Sequence, residues 1–205
     1  MPVLAFDVNE TLLDLSPLDE LVGGADNRRR WFAQMLQISF VGGLTGDYVD
    51  YPSAQRAALE MLGLPGADEL PDRMRELPLH PDVVPALERL RAFTVVALTN
   101  SPLSVVTEQF EFNGVTALFD AILSADTVRA LKPRPEAYRH VSSTLGVPLR
   151  DVRLVAAHGW DIAGALTAGC RGAFVARAGQ ALMPIGPQPD IVGTDLLAIA
   201  DALGK

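Results

Sequence analysis

VLAFDVNET, residues 3–11, decides how the rest of the chain is read. Four apolar residues stop abruptly at Asp7 and a polar, turn-prone stretch. A run this short and this apolar reads as a buried strand with a loop at its carboxyl end. The pattern returns in FTVVALTN at 93–100, AILSAD at 121–126 and RLVAAHGWD at 153–161. GAFVAR at 172–177 and DIV at 190–192 read as two further short strands, and the proline-rich MPIGPQPD at 183–190 as the loop before the last one. Between these runs lie helical patterns. LPLHPDVVPALERLRA leads into the second strand, while PLSVVTEQFEFNG, PRPEAYRHVSSTLG and WDIAGALTAG all end in glycine, a common helix stop. Strands alternating with helices predict an α/β fold, a Rossmann-like, doubly wound and mostly parallel sheet.

Residues 15–79 break the alternation. RRRWFAQMLQISFV, SAQRAALEMLGL and ADELPDRMREL carry helical periodicity, separated by GGLTGDYVDYP and PG. The expected organisation is an α/β core of residues 1–14 and 80–205 with a small helical cap, residues 15–79, inserted after the first strand. Ligands of open α/β sheets bind at the carboxyl ends of the strands, so a cap there encloses a site.

Composition removes several classes of function. Of 205 residues 49% are apolar and 20% charged, which excludes a disordered or coiled-coil chain. Seventeen basic residues against 25 acidic give a net charge of −8, without the basic footprint of a nucleic-acid binder. A single cysteine, Cys170, forms no internal disulfide and fits a reducing compartment; it reads as a small buried residue rather than a nucleophile. The first residues lack a charged leader, and Asp7 interrupts the apolar run after four residues, so neither a signal peptide nor a membrane span is expected. The expectation is a cytoplasmic protein with no nucleic-acid or membrane partner.

Four polar clusters follow four apolar runs: Asp7 with Thr11, Thr99-Asn100-Ser101, Lys132-Pro133, and His158 with Asp161. One aspartate after a strand is commonly a turn former or helix cap. Four clusters in this order converge on one edge of a parallel sheet and point to a site. A carboxylate such as Asp7 serves as a nucleophile, forming a covalent intermediate that water hydrolyses. Lys132 keeps it ionised, Thr11 holds it, and Thr99 and Asn100 offer donors to an anionic substrate or leaving group. His80 and His140 read as structural or exposed, and no His/Cys spacing suggests zinc.

These residues resemble the haloacid dehalogenase superfamily along nearly the whole chain. FDVNETLLD is similar to its first motif, LTN to its second, LKP to its third and VAAHGWDIAGA to its fourth. The helical cap, KPRPEAY and the pair Trp160-Asp161 resemble the type II, or L-2-haloacid, dehalogenases most closely. The resemblance implies a cofactor-independent hydrolase that displaces halide from a small 2-haloalkanoic acid through an aspartyl ester. It implies Asp7 as nucleophile, Thr11 and Lys132 as its holders, and Asp161 with His158 at the hydrolytic water. Val8, Asn9, Thr99, Asn100, Phe32, Tyr138 and Trp160 are implied around the substrate, and a homodimer is implied as the assembly.

The departures carry information too. Superfamily phosphatases have an aspartate where this chain has Asn9, and a further Mg²⁺-binding aspartate where it has Ala157. An amide transfers no proton in that role, and two remaining carboxylates are few for a hard cation, so no metal is expected. The dehalogenases carry a halide-binding arginine where this chain has Phe32. Arg28 and Arg29 share a helix face with Phe32 and either reach the site or, with Arg30, form a solvated face. The fourth motif has Ala156 and His158 in place of the usual Ser and Asn. His158 either activates water or is a packed structural histidine, and Trp160 either walls the site or packs in the core. The alternatives are a phosphatase of the same superfamily and a catalytically idle binding protein.

Overall fold

The computed structural model describes residues 2–204; Met1 and Lys205, the ends of the expected core, lie outside them. Six strands form one parallel sheet: β1 (Val3–Phe6), β2 (Thr94–Thr99), β3 (Ala121–Ser124), β4 (Val152–Ala156), β5 (Arg171–Val175) and β6 (Ile191–Gly193), in the order β3-β2-β1-β4-β5-β6. This is the doubly wound sheet expected from VLAFDVNET and its repeats. Every residue of β1 is buried, because helices cover both faces of a parallel sheet. Alternate residues feed two cores. Leu4 and Phe6 join the larger one, and Val3 and Ala5 the smaller. Each such side chain, fully withdrawn from water, contributes about 1.5–3 kcal/mol.

Helices α1 (Asp19–Val22), α2 (Ala25–Thr45), α3 (Tyr51–Leu62) and α4 (Leu70–Arg75) fill the chain between β1 and α5 (Val83–Arg89). The ends of this insertion are tied together. Asp14 N–H donates to Pro78 O and His80 N–H to Leu12 O, both at 2.8 Å, beside a Leu13–Leu79 bridge. The sequence expected a break at GGLTGDYVDYP, but α2 runs through Gly42 and Gly43 to Thr45. The larger insertion core outweighs the poor helix propensity of glycine. Gly42 also has a packing reason, since a Cβ there would lie 2.7 Å from Asp47 O.

The remaining helices are α6 (Leu103–Phe112), α7 (Pro135–Leu145), α8 (Gly159–Ala168) and α9 (Leu196–Leu203). The expected glycine stops at 146 and 169 are left-handed C-caps, at φ 66° and 101°. The run RLVAAHGWD divides: its strand ends at Ala156 and α8 begins at Gly159. Helix α9, which packs on α5, escaped the sequence reading, as did the short turn Ser16–Leu18 and α1. Among the described residues no helix is long and apolar enough to cross a membrane.

One close approach fixes α8. A Cβ on Gly164 would lie 2.5 Å from Pro133 Cβ and 2.6 Å from Tyr138 Oη. Only glycine lets α8 press against the Lys132-Pro133 turn and α7. Gly164→Ala is expected to lower unfolding free energy by about 1–3 kcal/mol through overpacking, read as a lower urea midpoint at unchanged m-value. A midpoint equal to wild type would show that the turn gives way freely.

Candidate active site

Strand β1 lies in the middle of the sheet, between β2 and β4, where strand order reverses. A crevice opens there at the carboxyl ends of the strands. Asp7 enters it as the first residue past β1, with its N–H on Val155 O at 3.0 Å. Its carboxylate is held on both oxygens. Oδ1 accepts from Lys132 Nζ at 2.6 Å, and Oδ2 from Thr11 Oγ1 at 2.7 Å. The hydroxyl of Thr11 itself accepts Ala157 N–H at 2.9 Å, so the first and fourth motifs are locked to each other through it.

Lys132 bridges two carboxylates, since its Nζ also lies 2.7 Å from Asp161 Oδ2. Tyr138 Oη donates to Asp161 Oδ1 at 2.6 Å. Lys132 keeps 1% of its surface and Asp161 none. Asn100 fixes the Lys132 backbone: its Oδ1 accepts Lys132 N–H at 2.8 Å, and its Nδ2 donates to Lys132 O at 3.3 Å. Thr99 Oγ1 accepts Ser101 N–H at 3.1 Å, and Asn9 Nδ2 donates to Ser101 Oγ at 3.3 Å. Asn9 Oδ1 and Trp160 Nε1 are buried with no partner among the described residues.

His158 Nδ1 lies 3.3 Å from Asp7 Oδ2, and its Nε2 lies 2.9 Å from Glu10 Oε2. The ring is sandwiched between Phe32 and Trp160, each at 5.4 Å between centroids and tilted by 15° and 26°. Glu10 occupies the turn after Asp7 at φ 60°, a left-handed conformation that non-glycine residues seldom adopt. Arg28 Nη1 at 3.2 Å and Gln180 Nε2 at 2.8 Å also hold its carboxylate.

Opposed forces set the protonation states. Burial by itself raises the Asp7 pKa, but Lys132 and then His158 outweigh it and hold the carboxyl far below its usual range. Burial lowers the His158 pKa, yet its hydrogen bonds to Asp7 and Glu10 bring it to about 9, so the imidazole is a cation at neutral pH. For Lys132 burial is outweighed by Asp161 and Asp7, which keep the ammonium charged. Burial, reinforced by Asp7, raises Asp161 against the pull of Lys132 and Tyr138. The arrangement is an ionised carboxylate pinned between two buried cations.

Asp7, Asn9, Phe32, Tyr51, Thr99, Asn100, Lys132, His158 and Trp160 enclose a cavity of about 10 Å³, room for about one water molecule. The four expected clusters therefore meet in one place. Thr11, Tyr138 and Asp161 stand behind this first layer, and Val8 is buried in the core with its carbonyl accepting from Leu12 and Leu13 N–H. The arginine alternatives separate cleanly. Arg29 lies on the surface against Asp26, whereas Arg28 turns inward to Asp19 and Glu10. His80 touches the periphery through Glu10 O at 3.3 Å, and Cys170 is buried as expected.

Sequence reading missed Glu10 and Tyr51. Glu10 looked like one more turn residue, and its only local signal is a bulky acid in a turn that favours glycine. Tyr51 comes from the start of α3, and burial beside Asp7 and Glu10 keeps its phenol protonated. A divalent cation finds a poor donor set: Ala157 offers no side-chain oxygen, and both Asp161 oxygens face Lys132 and Tyr138. Among the described residues no cluster of three acidic, His or Cys side chains is arranged to hold a metal.

A family model for haloacid dehalogenase-like hydrolases matches residues 1–169. The chain is 29% identical over 191 residues to an (S)-2-haloacid dehalogenase of Xanthobacter autotrophicus, covering 86% of this chain and 76% of that one. It is 26% identical over 203 residues to haloacetate dehalogenase H-2 of Moraxella sp. strain B, with 91% of each covered. The solved structure of the L-2-haloacid dehalogenase from Xanthobacter autotrophicus superposes with a TM-score of 0.90 at 24% identity, over 100% of this chain and 98% of that one.

The raised His158 pKa has a consequence for stability. A folded-state value of about 9 against an ordinary 6.5 means that the imidazolium stabilises the fold fully below pH 6.5, and that this contribution fades as pH rises through 9. The unfolding free energy of wild type minus that of His158→Asn is expected to be largest near pH 6 and to shrink by about 3 kcal/mol towards pH 10. Urea titrations across that range check it, and a pH-independent difference would mean that His158 titrates alike in the folded and unfolded chain.

Proposed function

The chain belongs to the haloacid dehalogenase-like hydrolases, and from that premise we propose that it is a cofactor-independent (S)-2-haloacid dehalogenase. The observation that carries this reading is the ionised Asp7 carboxylate on the floor of a small, closed, aromatic-walled cavity, with Asn9 and Ala157 where a phosphatase needs carboxylates. The curated dehalogenases similar along most of the chain support it.

In this reading residues 15–79 act as a cap, bringing Phe32 and Tyr51 over Asp7. Thr99 and the backbone after Asp7 receive the carboxylate of a short 2-haloalkanoic acid, which the Lys132 and His158 cations attract. An Asp7 oxygen attacks the halogen-bearing carbon as the carbon–halogen bond breaks, leaving an aspartyl ester and halide. Lys132 and Thr11 aim the carboxylate, and Asp161, itself held by Tyr138, holds Lys132. With Phe32 at the position of the family arginine, the second amide hydrogen of Asn100 and the unpartnered Trp160 indole N–H receive the departing halide. Water then attacks the ester carbonyl and regenerates Asp7. A cytoplasmic homodimer completes the reading.

Halide release from chloroacetate, bromoacetate and L-2-chloropropionate tests it, run beside p-nitrophenyl phosphate hydrolysis. Release is expected to persist in EDTA, because no step runs through a metal. Phosphate release that depends on added Mg²⁺, without halide release, would replace the dehalogenase by a phosphatase.

The covalent step has its own signature. In a single turnover in H₂¹⁸O with enzyme in excess, the product hydroxyl is expected to carry ¹⁶O from Asp7, and ¹⁸O to appear in the Asp7 carboxylate by peptide mass spectrometry. Product labelled in the first turnover would make Asp7 a general base for direct attack by water.

A further inference from the structure

The aspartyl ester must be hydrolysed, and that step needs a group that takes a proton from water. Asp161 is poorly placed for it: it has no exposed surface, and its two oxygens face Lys132 Nζ and Tyr138 Oη at 2.7 and 2.6 Å. His158 is differently placed. It shares the cavity with Asp7, its Nδ1 lies 3.3 Å from Asp7 Oδ2, and its far nitrogen lies 2.9 Å from Glu10. A nucleophile, an imidazole and a carboxylate that orients it stand in line, the order in which general bases are commonly built. Phe32 and Trp160 clamp both ring faces, so the ring keeps its plane, and Arg28 and Gln180 fix Glu10 from the far side.

Resting on the dehalogenase reading, we propose that Glu10 and His158 form the base pair for the second half-reaction: Glu10 positions the imidazole, and the imidazole takes the proton of the water that attacks the Asp7 ester. The groups that face the ring or its partners are Asp7 and Glu10 from the β1 loop, Arg28 and Phe32 from α2, Tyr51 from α3, Lys132 and Trp160. Of these, only Asp7 changes charge during the reaction.

That change primes the base. While Asp7 is an anion, its charge and that of Glu10 hold the proton on His158. Forming the ester neutralises Asp7 and removes one of the two supporting charges, so the imidazolium releases its proton to solvent. Neutral His158 then accepts a proton from water as the hydroxyl oxygen bonds to the Asp7 carbonyl carbon. The tetrahedral intermediate expels the alkoxide of the product, which takes the remaining hydroxyl proton and leaves as the alcohol. Asp7 returns as an anion and His158 as a cation. The sum is haloacid plus water giving hydroxyacid, halide and one proton.

Rapid-quench kinetics with bromoacetate separates the half-reactions. His158→Asn is expected to release about one equivalent of bromide per site and then stall, with a glycolyl ester on the Asp7 peptide and steady turnover lowered at least about 100-fold. Glu10→Gln is expected to keep the bromide burst and to lower steady turnover about tenfold. Its kcat–pH profile, which rises as the base deprotonates, is expected to shift about one unit lower, because a negative charge beside the imidazolium is gone. Glu10→Asp is expected to move the profile back towards wild type, a rescue that a packing role would not produce. The bromide burst itself shows that each variant is folded around a competent Asp7.

A His158→Asn enzyme that hydrolyses its ester at the wild-type rate would overturn the assignment while leaving the dehalogenase intact. So would a Glu10→Gln profile at the wild-type pH. A variant with no burst and no ester would place His158 in the first half-reaction, also against the assignment. Wild-type enzyme that releases no halide and forms no ester would remove the dehalogenase reading and this inference with it.

Discussion

The structure depends on a single buried ammonium. Lys132 has almost no contact with water, and a cation withdrawn from water is tolerated only when charge and hydrogen bonds replace its hydration. Asp7 and Asp161 supply that replacement on opposite motifs, and the backbone of Lys132 is fixed by Asn100 from a third. No one of these groups is stable here without the others. Remove the cation, and two buried carboxylates face each other; remove Asp161, and the cation is held only by Asp7. The pairing that keeps the fold is therefore also the one that keeps Asp7 ionised.

A second buried cation, His158, lies beside the same carboxylate. The position expected to hold an arginine is Phe32, whose ring lies flat against His158. The positive charge beside Asp7 is carried by an imidazole just past β4, held by Asp7 and Glu10. Aromatic faces on both sides of an imidazolium favour the charged form through their negative quadrupoles. Arg28, one turn before Phe32 on the same helix, braces Glu10.

Much of this was legible in the chain. Three of the clusters sit where an apolar run turns polar, and in a parallel sheet that switch marks the carboxyl end of a strand, so Asp7, Thr99, Asn100 and His158 had to approach one edge, while Lys132 lies in the turn ahead of α7. One strong rule also misled locally: Gly42 and Gly43 looked like a helix end, yet close packing of residues 47–49 against Gly42 favours glycine inside the helix.

What the sequence determined by itself is the alternation of six strands with helices and the residue types at the strand ends, because these follow from local periodicity and from chemistry that does not depend on neighbours. Only the tertiary structure decided that Arg28 turns inward while Arg29 stays in water, that Tyr51 joins the cavity wall, and that Glu10 reaches His158 across 148 positions of chain. Those outcomes rest on distances between side chains carried by different elements. A contact of that kind leaves no periodic trace in the sequence, since either partner alone looks like an ordinary surface or turn residue until the sheet brings the two within hydrogen-bond reach.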